Sequence, residues 1–187
     1  MVSTPTPVCD FGWPAADFDL SGNDGRRHSL ATACGPQGLL VMFLCCHCPY
    51  VQVILPRLLQ DVRELTSLGI GCIALMSNDP TDHPDDSWEN ICQWACALDF
   101  PFPCAHDDTQ DIARRYGAVC TPDFFGFNHR LELQYRGRFD ATGRQAASAN
   151  PPAARELLAA MTLIAATGKG PAQQIPGIGC SIKWRKT

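Results

Sequence analysis

Leu39-Leu40-Val41-Met42-Phe43-Leu44-Cys45-Cys46-His47-Cys48-Pro49-Tyr50 is the stretch on which the fold turns. Its first six residues are an unbroken apolar run, the pattern of a central strand covered on both faces. From Tyr50 the pattern changes. Val51, Ile54, Leu55, Leu58, Leu59, Val62 and Leu65 recur at spacings of three and four, which predicts a helix to about Thr66 with Gly69 just past its end. Pro56 inside it should kink the helix or leave one carbonyl without its bond. Between strand and helix stand two thiols in C-x-x-C spacing, Cys45 and Cys48. A helix N-terminus offers unpaired N–H groups and positive dipole charge, so it favours a thiolate over a thiol. His47, if cationic, pushes Cys45 the same way. The spacing puts both sulfurs within reach of disulfide geometry, one exposed and one deeper. The expectation is a thiol–disulfide site in which Cys45 is the outer, nucleophilic sulfur and Cys48 resolves the mixed disulfide from below.

A C-x-x-C can also be half a zinc site. Here Cys45, Cys46, His47 and Cys48 in a row cannot surround one tetrahedral ion without distortion, and the chain has no second C-x-x-C. No metal is therefore expected. A c-type haem is excluded because Pro49 follows Cys48 where attachment needs His.

Working outward, residues 70–76 predict a second apolar strand. A polar loop over 78–86 ends at an N-cap, Asp85 or Asp86, before a helix over 87–98 with Trp88, Ile91, Cys92, Ala95 and Leu98 on one face. A short strand falls near 102–105, and Asp108 or Thr109 caps a helix ending at Tyr116-Gly117. Residues 123–127 and 131–135 read as an antiparallel pair. Asn150 with Pro151 starts a last helix, stopped near Thr167 by Gly168. Upstream, residues 14–30 carry a β-hairpin around Gly22-Asn23-Asp24-Gly25. Strands alternating with helices predict an α/β fold: a central mixed β-sheet flanked by helices, with an N-terminal hairpin. Residues 1–187 are expected to form one domain, with the apolar tail 169–187 docked on it.

Composition narrows the function. The net charge of −4 gives no basic footprint for nucleic acid and no polybasic patch for a membrane, so neither partner is expected. No run approaches the ~20 apolar residues of a membrane span. The N-terminal stretch lacks the basic and apolar regions of a secretion signal. Eleven cysteines is an odd count, and several lie in apolar periodic segments, which points to reduced thiols and a cytoplasmic setting.

The second half of the site is Cys120-Thr121-Pro122-Asp123-Phe124-Phe125, where an X-Pro step before an apolar strand suits a cis bond. Together with Cys45 through Val51, Ser77-Asn78-Asp79, Tyr116-Gly117-Ala118-Val119, Tyr135-Arg136-Gly137-Arg138 and Gly179-Cys180-Ser181-Ile182-Lys183-Trp184, these residues resemble the thioredoxin-like superfamily. The likeness is to its redoxin branch, which includes peroxiredoxin-like proteins of the alkyl hydroperoxide reductase/thiol-specific antioxidant (AhpC/TSA) type. The motif Cys-Asn-His-Cys-Pro-Tyr-Val is matched except that Cys46 stands in place of Asn. The resemblance implies a thioredoxin-like fold with a redoxin-type insertion around 87–98. It implies Cys45 and Cys48 as the redox pair, with a cis Pro122 facing them beside Thr121 and a backbone edge left free for an extended substrate. It implies no organic cofactor, since the cysteines carry the electrons.

Three further thiols are candidates for a part in the chemistry: Cys46 beside the nucleophile, Cys120 before the cis-Pro loop, and Cys180 in the tail, as an extra resolving thiol or an anchor. Cys72, Cys92 and Cys96 are expected in the core. The cluster Cys92, Cys96, Cys104 and His106 matches no standard metal spacing.

Two activities remain. One is a thiol–disulfide oxidoreductase exchanging with a disulfide-containing protein or small-thiol substrate and recharged by a reductant. The other is an antioxidant thiol peroxidase with Cys45 as peroxidatic cysteine. Peroxiredoxins carry Thr or Ser three residues before that cysteine, and here the position is Met42. A peroxidase also needs a nearby cation, for which Arg138 is the candidate. The missing hydroxyl favours the oxidoreductase.

Overall fold

The computed structural model describes residues 3–142 and 154–186. The apolar run forms β4, Gly38–Phe43, and all six of its residues are buried. Side chains alternate across a strand, so Leu40 and Met42 enter one core and Leu39, Val41 and Phe43 the other. A strand with packing on both faces has no wet side, which is why the run contains no polar residue.

β4 pairs in parallel with β5 (Ile70–Met76) and antiparallel with β8 (Asp123–Phe127). β5 pairs in parallel with β6 (Cys104–His106). The hairpin of β2 (Asp19–Gly22) and β3 (Arg27–Ser29) joins through β6, and β9 (Leu133–Tyr135) closes the far edge. The seven-stranded mixed sheet thus runs β3-β2-β6-β5-β4-β8-β9. This is the α/β arrangement expected from the sequence, hairpin and antiparallel edge included.

Helices α2 (Pro49–Ser67), α3 (Trp88–Ala97) and α5 (Glu156–Thr167) put Val51, Ile54, Leu58, Ile91 and Met161 into the first core. Short α1 (Leu30–Ala33) and α4 (Asp111–Tyr116) put Leu30, Ile112 and Tyr116 into the second. Each such side chain contributes about 1.5–3 kcal/mol on leaving water. α2 continues through Pro56, which lies on its exposed side, so the carbonyl of Gln52 lacks its usual intrahelical partner.

Three local expectations change, and a fourth is not reached by the described residues. Ser87, not Asp85 or Asp86, caps α3, accepting from the Asn90 N–H. On that helix Cys92 is half-buried while Cys96 and Leu98 are exposed, because Ile91 and Ala95 carry the buried face and Trp94 packs beside them. At α4 the Asp107 carboxylate takes the N–H groups of Ile112 and Ala113, Gln110 holds the cap position at φ 65°, and the Thr109 hydroxyl accepts from the Asp111 N–H at 3.3 Å, so Asp107 does what was expected of Asp108. The expected start at Asn150 and Pro151 lies outside the described residues, although Gly168 ends α5 as predicted, at φ 73°.

A second, three-stranded sheet lies beside the first. It holds β1 (Ser3–Pro5), β10 (Ile178–Ser181) and β7 (Cys120–Thr121), in the order β1-β10-β7. Among the described residues no helix is long and apolar enough to cross a membrane.

Candidate active site

The chain leaves β4 at Phe43 and enters α2 at Pro49, so Cys45 to Cys48 form the turn between them, with Cys48 at the N-cap of α2. Opposite stands the Thr121–Pro122 step, whose peptide bond is cis. Thr121 touches both sulfurs. Its Oγ1 lies 3.1 Å from Cys45 Sγ, and its carbonyl accepts from Cys48 Sγ at 3.0 Å. A third sulfur completes the group: Cys180 Sγ of β10 lies 3.0 Å from Cys48 Sγ. The structure therefore brings Cys45, Cys48, Thr121 and Cys180 together. All four are buried, and none of the three thiols is in a disulfide.

The burial corrects one expectation. Cys45 is 1% exposed and Cys48 0%, so Cys45 is not an outer sulfur. The half-buried thiol of the motif is Cys46, and desolvation with Asp86 and Asp85 nearby pushes it up to about 12. Cys120 is turned aside, donating to the Pro122 carbonyl at 3.6 Å, and burial pushes its thiol up as well.

The charge also sits differently from the expectation. The Cys45 thiol is raised, first by its hydrogen bond with Cys48, then by burial and by the Asp86 carboxylate, with the Thr121 hydroxyl acting the other way. Cys48 is lowered. It gains from Cys45, from Cys180 and from the Val51 N–H in the first turn of α2, all of which favour its anion. The helix N-terminus thus acts on the cap sulfur. His47 does not supply Cys45 with a free cation: its Nδ1 lies 2.5 Å from Asp86 Oδ2, and its ring stacks on His83 at 4.3 Å. Its Nε2 is buried and has no hydrogen-bond partner among the described residues.

Asp86 is the residue that sequence reasoning missed. Its Oδ1 accepts from the N–H groups of Cys46 and His47, at 2.9 and 3.4 Å, and its Oδ2 accepts from Asn78 Nδ2 at 2.7 Å. The Asn78 Oδ1 in turn accepts from the Lys183 N–H of the tail. One carboxylate therefore fastens the redox turn, and one amide connects it to the tail. Donor atoms of Cys45, His47 and Asp86 lie within 4.8 Å of one another, a spacing that would suit a cation. Asp86 is already committed to four nitrogen contacts, which accounts for the cluster as an anchor.

The edge expected to be free for a substrate is occupied. β10 pairs with β7 in the register Cys180↔Thr121 and Ser181↔Cys120. At Gly179 a Cβ would sit 2.2 Å from the Thr121 carbonyl oxygen, so this close approach requires glycine. Beside Pro122 lies a cavity of about 250 Å³ lined by Tyr50, Ile54, Phe124, Phe139 and Ile178 among others. Arg138, the sequence candidate for an active-site cation, borders that cavity and is paired with Glu156 at 2.7 Å.

Several solved structures are similar to this chain. An uncharacterized conserved protein from Geobacillus kaustophilus shares 33% identity over 100% of this chain and 98% of its own, with a TM-score of 0.92. A hypothetical protein from Sinorhizobium meliloti shares 31% over 98% and 100%, with a TM-score of 0.91. The thioredoxin domain of a thiol-disulfide oxidoreductase from Bacteroides vulgatus, at 17% identity, covers 67% of this chain and 86% of its own with a TM-score of 0.57, a likeness of fold. No curated protein matches the chain. Residues 11–139 match the AhpC/TSA family. Fold and family together support a thiol redox role, and the chain belongs to the AhpC/TSA family.

Proposed function

We propose that this protein is a thiol–disulfide oxidoreductase in which Cys45 and Cys48 are the redox pair. The observation that carries the reading is the position of Thr121, whose hydroxyl and carbonyl meet the two sulfurs at 3.1 and 3.0 Å. Cys45, its proton passing to the neighbouring Cys48 thiolate, attacks one sulfur of a substrate disulfide; the S–S bond breaks, the other sulfur leaves as a thiolate, and a mixed disulfide with Cys45 remains. Cys48 then attacks Cys45, releasing the substrate thiol and leaving a Cys45–Cys48 disulfide for a reductant to reopen. The low-lying Cys48 anion favours the reduced form, which moves the pair toward the oxidising end of its class. The cysteines carry the electrons, with no organic cofactor. The setting is the reducing cytoplasm. Because β10 occupies the edge at Thr121, the reading favours a small-thiol substrate over an extended peptide.

Peroxidase chemistry is the second reading, and one observation favours it. Thr121 supplies beside Cys45 the hydroxyl that Met42 cannot. Against it, the charged side chain acting on Cys45 is a carboxylate, Asp86, where a developing oxyanion calls for a cation.

The test gives reduced protein one equivalent of hydrogen peroxide or of a small disulfide such as oxidised glutathione, then maps trapped thiols. Slow peroxide oxidation with ready formation of Cys45–Cys48 from the disulfide is expected. Fast peroxide oxidation at Cys45 would replace the oxidoreductase by a peroxidase. If Cys45 and Cys48 stay reduced under both challenges, the redox pair is wrong.

A further inference from the structure

We infer that Cys180 is a third redox thiol, which takes the disulfide from Cys45–Cys48 onto Cys48–Cys180 and returns Cys45 to the thiol state while the protein remains oxidised. The inference rests on the Cys45–Cys48 pair proposed above. Its ground is the contact of Cys180 Sγ with Cys48 Sγ at 3.0 Å, inside ordinary van der Waals separation of two sulfurs, and the strand that delivers it.

That strand is held from both sides. β10 pairs with β1 through Ser3↔Cys180 and with β7 through Cys180↔Thr121, so the cysteine sits at the centre of the small sheet. Beyond it, Ile182 N–H donates to the Val119 carbonyl, and the Lys183 carbonyl accepts from Asp79 N–H and from Gln110 Nε2. An anchor alone would be served by Ile182, which is buried in the aromatic core. Cys180 instead brings its sulfur to 3.0 Å from that of Cys48.

The step is an internal exchange. Cys180 Sγ, as thiolate, attacks Cys48 Sγ of the Cys45–Cys48 disulfide. The Cys48–Cys180 bond forms as the Cys45–Cys48 bond breaks, and the electron pair leaves on Cys45, which takes up the proton that Cys180 gave. Nothing is oxidised or reduced overall. In the fully reduced protein burial and the neighbouring Cys48 anion hold the Cys180 proton in place. Once Cys48 is in a disulfide its charge is gone, and Lys183, which acts on Cys180 in the opposite sense, remains. Cys45 departs toward the Thr121 hydroxyl that stabilises its anion.

The relay keeps an oxidising equivalent beneath β10 and leaves the nucleophile free. Its test needs no mutant to begin. Wild-type protein is oxidised with one equivalent of oxidised glutathione, quenched in acid at successive times, alkylated and mapped. Expected is early Cys45–Cys48 followed by Cys48–Cys180, with Cys45 becoming alkylatable in protein that still holds one disulfide. In Cys180→Ser the second linkage is lost and Cys45 stays protected. In Gly179→Ala, whose Cβ would press on the Thr121 carbonyl, Cys48–Cys180 is lost or delayed while Cys45–Cys48 persists. In Cys45→Ser, diamide oxidation links Cys48 to Cys180. A stable Cys45–Cys48 disulfide with Cys180 alkylated throughout, and no Cys48–Cys180 in Cys45→Ser, overturns the relay and leaves the oxidoreductase reading standing. Failure of Cys45–Cys48 to form at any time overturns both.

Discussion

The two faces of the main sheet are built from different chemistry. One face packs rings: Phe43, Tyr116, Phe125 and Phe127 meet edge-on at centroid separations of 5.4–6.1 Å, and Trp13 joins them. The other gathers the sulfur, with Cys45, Cys48, Cys72, Cys104 and Cys180 buried beside Met42, Met76 and Met161, among aliphatic side chains and the more scattered rings of Tyr50, Phe102, Phe124, Tyr135 and Phe139. Phe43 belongs to the first and Leu44 and Cys45 to the second. A single step along the chain therefore passes from a face that holds the fold to a face that holds the chemistry. Rings interlock by shape and carry no proton to lose, while thiols of similar burial exchange protons and bonds. The difference predicts that damage to one face is felt as stability and damage to the other as reactivity.

The sharpest way to break that comparison is Phe127→Ala. Phe127 is fully buried against Tyr116 and Trp13, and its truncation should cost ~3–5 kcal/mol by the usual range for a core aromatic. Denaturant titration would read the loss. Thiolate absorbance near neutral pH should titrate as in the parent, and a displaced midpoint would show that the two faces are coupled.

On the sulfur face the pH dependence should come from Cys48. Its folded-state value is lowered from 9.0 to about 5, so its anion contributes stability that is fully present above pH 9 and lost as pH falls toward 5. Cys45 is shifted the other way, so its contribution is complete below its ordinary value and constant through that window. The stability difference between reduced wild type and Cys48→Ser should therefore shrink steadily as pH falls from 9 to 5. A difference flat in pH would mean that the anion does not reside on Cys48.

Asp86→Asn tests the anchor between the faces' shared turn and the tail. An amide cannot accept from all the N–H groups the carboxylate holds, and leaving buried donors unsatisfied costs about 1–3 kcal/mol. Removing its negative charge also removes one cause of the raised Cys45 thiol. The variant should be less stable by thermal melt yet alkylate faster at Cys45 at neutral pH. Slower alkylation would show that Asp86 acts on Cys45 by placement alone.

The legibility of these regions follows from how local their causes are. β5 was readable to the residue, because a buried strand flanked by a helix end and a polar loop declares itself within seven positions. α2 was readable because its apolar spacing persists for five turns. The C-x-x-C was visible as chemistry, but its burial was not, since the cover comes from β10, more than a hundred residues later. β7 is two residues long, too short to show any alternation, so the pairing that fills the substrate edge had no sequence signal. An acid ahead of a helix is the local pattern of a cap, and in the sequence Asp85 and Asp86 both fit it. Ser87 takes that role, and the Asp86 carboxylate is released for a partner 40 residues away. The companion signal was Asn78, a polar residue just after a buried strand that satisfies both Asp86 and the tail.

Thr121→Val is the smallest change with a separable meaning. Valine keeps the shape and the backbone, so the β7–β10 pairing and the carbonyl that accepts from Cys48 should both remain. What goes is one hydroxyl beside Cys45, a loss of about 0.5–1.5 kcal/mol at most. That hydroxyl favours the Cys45 anion, against Cys48, burial and the Asp86 carboxylate, which oppose it. Alkylation of Cys45 should slow, while the Cys48 titration and the Cys48–Cys180 linkage stay as they were. If the Cys48 titration moves as well, Thr121 is holding the two sulfurs as one unit, and the division of labour between a nucleophile under the hydroxyl and an anion at the helix end gives way to a single shared proton.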